Sequence, residues 1–499
     1  MLYFSAPELH EARVGNIQRQ VIEWKKNGAG KKLCTARGGW QSVSPGYRPY
    51  KKNSTKINVN LFDILELDEK EMSLKVEPMV NMGQITHFLV PKNLTLPVLP
   101  ELDDLTVGGL LMGVGIETSS HKHGLFNDNV LAAEVVLADG SLIKCSKKEN
   151  RELFDALPWS YGTLGLLVSV TLKISRCKPF VRVEYWPCKT HGKGVEVYRK
   201  FSEEKKPQDF VEALAYSHEE MVVMPARYAS EEEALTGTKN SIGLWFKPWF
   251  YKHVEKFLTK GGDGPWVEYI PLRDYYHRHT KSIFWELEQI IPWGNHPLFR
   301  LLLGWAVPPK VSFLKLTQTK ALQELYETQH VIQDMLVPNS KVGEALTVFK
   351  EEFDLYPLWI CPYRAYDYAS SGAPHRSFLK KPLEATSKDS FGKYEMYVDL
   401  GAYGIPKAVE EKRSFDIVSV SRKVEKYVAS VHGFQMLYAD SYMTREEFRE
   451  MFDHRHYDEM KEKYDPLGAF PEVFQKVCKK GQQYGATAAA GAEGSKKKN

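Results

Sequence analysis

No run of eighteen apolar residues occurs in the 499-residue chain, so no segment of it reads as a bilayer-spanning helix. The longest apolar patch, Leu301–Val307, is too short to cross. It could rest on a membrane surface, although burial in a core fits such a patch better. A secretory signal peptide is missing as well. Charge of one sign is not in excess: 67 Lys plus Arg stand against 63 Asp plus Glu. That balance gives no electrostatic case for a nucleic-acid partner. The six cysteines, Cys34, Cys145, Cys177, Cys188, Cys361 and Cys478, include no C-x-x-C pair. Free thiols in a reducing compartment are the expectation. Neither a G-x-x-x-x-G-K-[ST] phosphate loop nor an H-E-x-x-H zinc helix is present. His121 and His123 are two residues apart, as are His454 and His456, a spacing that splits each pair between helix faces, so no metal is expected.

What the chain has in quantity is glycine in tight clusters. Residues 101–124 read ELDDLTVGGLLMGVGIETSSHKHG, with five glycines between Gly108 and Gly124. Glycine lets a ligand press against bare backbone, and successive free N–H groups make a concave anion site. The stretch is read as the cradle of a dinucleotide cofactor; a glycine-rich packing loop is the competing reading. It is not a nicotinamide-binding βαβ unit, because Thr118 takes the place of the third fingerprint glycine and Pro97 and Pro100 interrupt the preceding run. A second tight loop, Arg37-Gly38-Gly39-Trp40-Gln41-Ser42, offers a guanidinium, two permissive residues and a hydroxyl to a pyrophosphate, or is a surface turn. A third runs from Pro158 through Gly162 to Gly165.

Around these loops the periodicity predicts a helix over 8–26, strands at 57–61 and 73–77, a short helix at 82–90, and a hairpin about Ala138-Asp139-Gly140-Ser141. A strand follows in which Leu166, Val168, Val170, Leu172 and Ile174 should share a face. Strands and short helices mixed in this way imply an α+β architecture, with a cofactor between layers. Past residue 178, three aromatic blocks stand out, at 245–251, 275–280 and 283–286. They could wall an apolar pocket, or form an ordinary aromatic core. His277-Arg278-His279 inside the second block is the charged feature hardest to read as plain core. Gln482–Asn499 is Ala/Gly-rich with a lysine run, and is expected to be disordered.

The loops at 35–44, 106–124, 138–140 and 162–165 together resemble the FAD-binding domain of the vanillyl-alcohol oxidase/p-cresol methylhydroxylase family. ELDDLTVGG, SSHKHGLF, PWSYGTLGLLVS, EYIPLRDYYHRHT, SIFWELEQIIP, HVIQDMLVP and HGFQMLYADSYMTREEF are further similar to its sterol side-chain reductases of the delta-24, DIMINUTO/DWARF type. The resemblance implies a two-part FAD-binding domain plus an α+β substrate cap. The expected boundaries are 1–177 for the FAD domain, 178–430 for the cap, 431–480 for a segment returning to the FAD site, and 481–499 for the tail. It implies FAD-dependent reduction of a sterol side-chain double bond with NADPH as donor, at the cytosolic face of the endoplasmic reticulum membrane. A plant-type side-chain isomerase/reductase of 24-methylene sterols, a flavin oxidase of an apolar alcohol, and a non-catalytic FAD- or sterol-binding protein are the alternatives.

The implied cofactor residues are Arg37, Gly38, Gly39, Trp40, Ser42, Thr106, Val107, Gly108, Gly109, Gly113, Gly115, Ser119, Ser120, His121, Gly124, Gly162 and Gly165. Relatives that tether FAD do so through a histidine in the first loop. This chain has none there, so noncovalent FAD is expected. These reductases usually begin with an apolar anchor, and this chain starts about where that anchor would end. Protonation of an isolated alkene needs a positioned acid in the apolar cap. His277 and His279 are first choices and Glu286 the runner-up, with Tyr438, Asp440 and Tyr442 as the next set.

Overall fold

The computed structural model describes residues 5–38, 49–260, 264–307, 328–369 and 374–482. The amphipathic pattern near the start forms a helix at His10–Lys26, burying Val14, Ile17, Val21 and Trp24. Each such side chain contributes roughly 1.5–3 kcal/mol when removed from water. The helix lies on a five-stranded antiparallel sheet in the order 64–68, 73–76, 166–173, 130–136, 142–146. The hairpin at Ala138–Ser141 is as its sequence predicts, with Gly140 at φ +89° and Asp139 accepting from the Ser141 N–H. The helix at Met82–Leu89 starts on a capping box, Asn81 with Gln84. Of the strand expected at 57–61 only Ile57 is extended in a ladder, as the end of Thr55–Ile57, which runs parallel to Leu33–Thr35.

The alternation expected along 166–174 breaks. Glu134 pairs with Ser169 but Val135 pairs with Leu167, so Val168 is an extra residue in its strand. A bulge of this kind reverses which face later residues take. Leu166 and Val168 therefore pack with the first helix, while Val170, Leu172 and Ile174 join the main core.

A second, nine-stranded antiparallel sheet runs in the order 266–271, 180–188, 221–229, 210–215, 358–367, 393–404, 331–338, 434–435, with 387–388 added alongside 393–404. Partners across an antiparallel ladder point to the same face. The register thus places Glu212, Trp359, Cys361, Tyr363, Tyr397, Asp399, Tyr403, Asp334 and Phe434 on one face. That face meets the first domain, because the buried Arg278 beside it bonds both Glu212 and Glu117. The chain then returns. Tyr457 Oη lies 2.7 Å from Thr163 Oγ1, Lys461 Nζ donates to the Thr163 carbonyl at 2.7 Å, and the Leu33 N–H donates to the Ala469 carbonyl at 2.7 Å. The aromatic blocks divide. Trp249, Phe250, Tyr251, Tyr275, Tyr276, Phe284 and Trp285 are core, whereas Trp245 and Phe246 are exposed. The six cysteines are free.

Candidate active site

Three loops and the returning segment close a ring around one space. The Arg37 guanidinium donates to Thr106 Oγ1 at 3.2 Å, and Lys51 Nζ donates to the Arg37 carbonyl at 2.6 Å. Lys476 Nζ donates to the Tyr161 carbonyl and lies 5.3 Å from the Tyr50 ring centre. The Tyr161 N–H in turn donates to the Met112 carbonyl at 2.6 Å. Two glycines open onto this ring. Among the described residues, a Cβ on Gly109 would meet only Thr106 Oγ1, at 3.2 Å. One on Gly162, at φ +69°, would lie 3.6 Å from Met112 Sδ and 3.8 Å from Lys476 Nζ. Bare backbone beside three cations and a hydroxyl is the donor set an anionic diphosphate needs. Burial pulls the Arg37 pKa down, against the opposing pull of Asp104. Gly38 is half-buried beside Arg37, whereas Gly39, Trp40 and Ser42 lie outside the described residues.

The other expected cofactor residues are committed to the protein itself. Val107 is fully buried and its N–H donates to the Val80 carbonyl at 2.9 Å. Gly108 is pressed on Pro78, where a Cβ would come within 2.9 Å of Pro78 Cβ. The Gly113 N–H bonds the Gly109 carbonyl at 2.9 Å. A Cβ on Gly115 would strike Leu110 at 2.7 Å and Pro100 at 3.0 Å. Gly124, at φ +71°, is closed by the Asp128 carboxylate, and Gly165 by Val135 and the Val136 carbonyl. Ser119 Oγ donates to the Pro97 carbonyl at 2.8 Å, and Ser120 Oγ accepts the Glu117 N–H at 3.0 Å. His121 is wholly buried between the carbonyls of Thr118 and Gln208, 2.9 Å from each, and burial pulls its pKa down to about 3. Within the central stretch Gly109 is thus open, whereas Gly108, Gly115 and Gly124 are closed by the protein's own atoms. Lys51 and Lys476 were not visible as site residues, because nothing local marks them.

The histidines expected to supply acid occupy a turn, not a strand or one continuous helix: a helix ends at Tyr276 and a 3-10 turn follows from Thr280 to Ser282. The turn sends its side chains to different partners. His277 Nε2 lies 2.8 Å from Thr86 Oγ1 and Nδ1 3.0 Å from the Glu101 carbonyl. His279 stacks on Phe284 at 4.5 Å and faces Glu212 at 3.4 Å. Burial lowers the pKa of both rings, which disfavours the imidazolium an acid role would need. Glu286 stands apart, paired with His330 at 3.0 Å. Arg278 is the centre of the turn. It bonds Glu212 through two nitrogens at 2.7 and 2.9 Å, Glu117 at 2.8 Å, and the Tyr275 carbonyl at 3.0 Å. The Trp359 indole adds a donor to Glu212 at 2.9 Å. Beside Glu117, burial and like charge push the Glu101 carboxyl well above its usual range.

A second buried acid group lies on the same sheet face. Asp334 and Asp399 have no exposure and their carboxyls meet. Tyr403 donates to Asp334 Oδ1, and Tyr438 also bonds Asp334. The signal for these acids is in the sequence: single aspartates within the apolar runs VIQDMLVP and MYVDLGAY, at positions whose period-2 neighbours face inward.

Comparison with known proteins turns this geometry into a family. The FAD binding domain family matches residues 15–146. Delta(24)-sterol reductase of Homo sapiens is 50% identical over 478 residues, covering 95% of this chain and 87% of the relative. A delta(24)-sterol reductase homolog of Caenorhabditis elegans is 43% identical over 490 residues, covering 96% and 89%. Delta(24)-sterol reductase of Arabidopsis thaliana is 42% identical over 483 residues, covering 94% and 85%.

The chain belongs to the delta(24)-sterol reductase family. Its cofactor is FAD, and the Arg37–Lys51–Lys476 ring, with Thr106, Gly109 and Gly162, fits such a reductase's need to hold a pyrophosphate. A cation for each anionic oxygen and two glycines with open Cβ directions are the parts of this ring a diphosphate would use. Among the described residues no group of three metal-ligating side chains occurs, and no helix is long and apolar enough to cross a membrane.

Proposed function

We propose that this protein reduces a side-chain double bond of a sterol, of the delta-24 type, with NADPH as electron source and FAD held noncovalently by Arg37, Lys51, Lys476, Thr106, Gly109 and Gly162. FAD supplies hydride transfer between the nicotinamide donor and the carbon acceptor. The observation that carries the reading is the single sheet face that joins an apolar cavity to buried acids. A cavity of about 770 Å³ opens on that face; Tyr363, Ala365, Tyr397, Phe434, Leu379 and Met443 are among its apolar walls, and Lys381, Arg422, Glu425, Lys426 and Glu447 line the rest. A volume of this order suits one rigid apolar ligand. Two residues beyond Tyr397, on the same face, stands Asp399. The chain therefore offers an apolar bed for the sterol nucleus and titratable groups about 7 Å further along the strand. Arg278 and its carboxylates hold cap to FAD domain beside this bed and keep water out. His277 and His279 are positioning residues within that clamp.

Filling the cavity tests the reading. Ala365→Trp should raise the KM for a delta-24 sterol about tenfold or more, since 1–3 kcal/mol of pocket contact is at stake. Flavin content and reduction by NADPH should stay at parent values. An unchanged sterol KM would place the sterol elsewhere.

The protein's second partner in this reading is a membrane surface, of the endoplasmic reticulum in a sterol-synthesising cell. The Leu301–Val307 patch is not core: Leu301, Leu302 and Trp305 are 61%, 67% and 71% exposed. Leu298, Trp293 and Trp245 extend it, and Arg300 ties it to the 244–247 loop by donating to the Phe246 carbonyl at 2.8 Å. Leucines backed by tryptophans on one surface suit the interface of a bilayer. Flotation with vesicles should carry the protein upward at high salt, because the contact is apolar. Leu302→Glu together with Trp305→Glu should leave it in the dense fraction; equal flotation of parent and variant would refute the surface.

A further inference from the structure

Among the described residues no side-chain donor reaches either oxygen of Asp399, which has only the Leu400 backbone N–H nearby, and Asp334 Oδ2 has no donor. The side chain within hydrogen-bond reach of Asp399 is the carboxyl of Asp334. Two carboxyls cannot face each other at this range with both charged; a proton between them is the missing donor. The pair's other neighbours are the phenols of Tyr403 and Tyr438 and, further off, Tyr198, Cys361 and the carboxyl of Glu101. None of these groups is a cation. One member of the cluster reaches beyond it: Tyr438 is half-buried, bonds Asp334, and lies close enough to Tyr161 of the cradle to interact with it electrostatically. Tyr161 sits beside Gly162, where the cofactor ring of cations opens.

We propose that Tyr438 delivers the proton to the sterol alkene and that the Asp334–Asp399 pair holds the proton that replaces it. The inference rests on the sterol-reductase reading. The step balances as follows. The Tyr438 O–H bond breaks as a C–H bond forms at carbon 24, and the alkene's electron pair becomes that bond. Carbon 25 would take a hydride, a proton with its two electrons, of the kind FAD reduced by NADPH would supply. The carboxyl proton of the pair passes to the Tyr438 oxygen, and the pair is reprotonated from solvent. Burial holds Asp334 up to about 7 and Asp399 well above its usual range, so the pair retains its proton at neutral pH. His277, His279 and Glu286 take no part in the transfer.

The test separates half-reactions. Tyr438→Phe keeps the ring and removes the proton. NADPH should reduce its flavin at the parent rate, while delta-24 sterol should reoxidise it about 10²–10⁴-fold more slowly, the usual worth of general acid catalysis. Asp399→Asn gives Asp334 an amide donor that favours its charged form. The alkaline limb of the sterol half-reaction should move to lower pH in that variant. Infrared difference spectra of the apoprotein give a readout without turnover. The parent should show a protonated-carboxyl C=O band at pH 7 that Asp399→Asn lacks. Parent-rate reoxidation in Tyr438→Phe, or no such band in the parent, overturns the proposal. So does equal slowing of both half-reactions, which a purely structural tyrosine would give. A parent that reduces no sterol would overturn the functional reading instead, and the infrared band would still decide whether the pair holds a proton.

Discussion

Arg278→Met should lower the stability of the holoprotein by about 3–5 kcal/mol at pH 7, because it removes the permanently charged cation that bonds two buried carboxylates. Glu212 and Glu117 have side chains 1% exposed, and Arg278 meets them at 2.7 and 2.8 Å. Methionine keeps much of the volume, so the loss reports charge and not a cavity. The Trp359 N–H at 2.9 Å and the His279 ring at 3.4 Å would remain on Glu212. The pH dependence has a definite sign. Arg278 and its neighbours hold the Glu212 pKa far below its ordinary 4.5, so that stability is fully present above 4.5 and lost as pH falls toward the folded-state value. In the variant Glu212, stripped of its cation, is relieved by protonation. The gap between parent and variant should therefore be widest at neutral pH and narrow below about pH 4.5. Denaturant unfolding at pH 7 and pH 4 measures both, and a loss under 1 kcal/mol at pH 7 would remove the clamp from the account.

Gly109→Val should give a folded protein that carries no flavin, whereas Gly115→Val should lose stability first. A side chain on Gly109 points into the open ring and, among the described residues, meets only Thr106 Oγ1. It would occupy the space where backbone approaches the diphosphate. A side chain on Gly115 collides with Leu110, Pro100 and Phe126, an overpacking that costs about 1–3 kcal/mol or more. The flavin-to-protein absorbance ratio and the apoprotein's melting temperature separate the two. A Gly109→Val protein with parent flavin content would show this glycine to be packing.

That contrast also shows where sequence reasoning stops. A glycine bared to a ligand and a glycine pressed on Pro78 or Val135 both need the absence of a Cβ, so both look alike in a sequence. Local patterns were legible: the first helix, the Asn81–Gln84 cap and the Asp139-Gly140 turn depend on residues a few positions apart. The extra residue at Val168 was not, because a bulge depends on the strand across from it. Lys51 and Lys476 stand more than 400 positions apart, and Lys476 comes near Lys51 by packing on its neighbour Tyr50. The histidines flanking Arg278 drew attention to the right turn, but the turn's geometry gave the central role to the arginine. Asp334 and Asp399 could have been found as acids within apolar strands; Tyr438 was in the last set considered, and its bond to Asp334 depends on the returning segment.

The most direct test of the account is a single anaerobic turnover in D₂O with purified enzyme, NADPH and a sterol carrying a delta-24 double bond. NADPH should bleach the bound flavin, and the sterol should restore its colour mole for mole. The recovered sterol should be saturated in its side chain and carry deuterium from solvent at carbon 24. Recovery of the sterol unchanged, with colour returning only when oxygen is admitted, would contradict the assignment and leave an oxidase in its place.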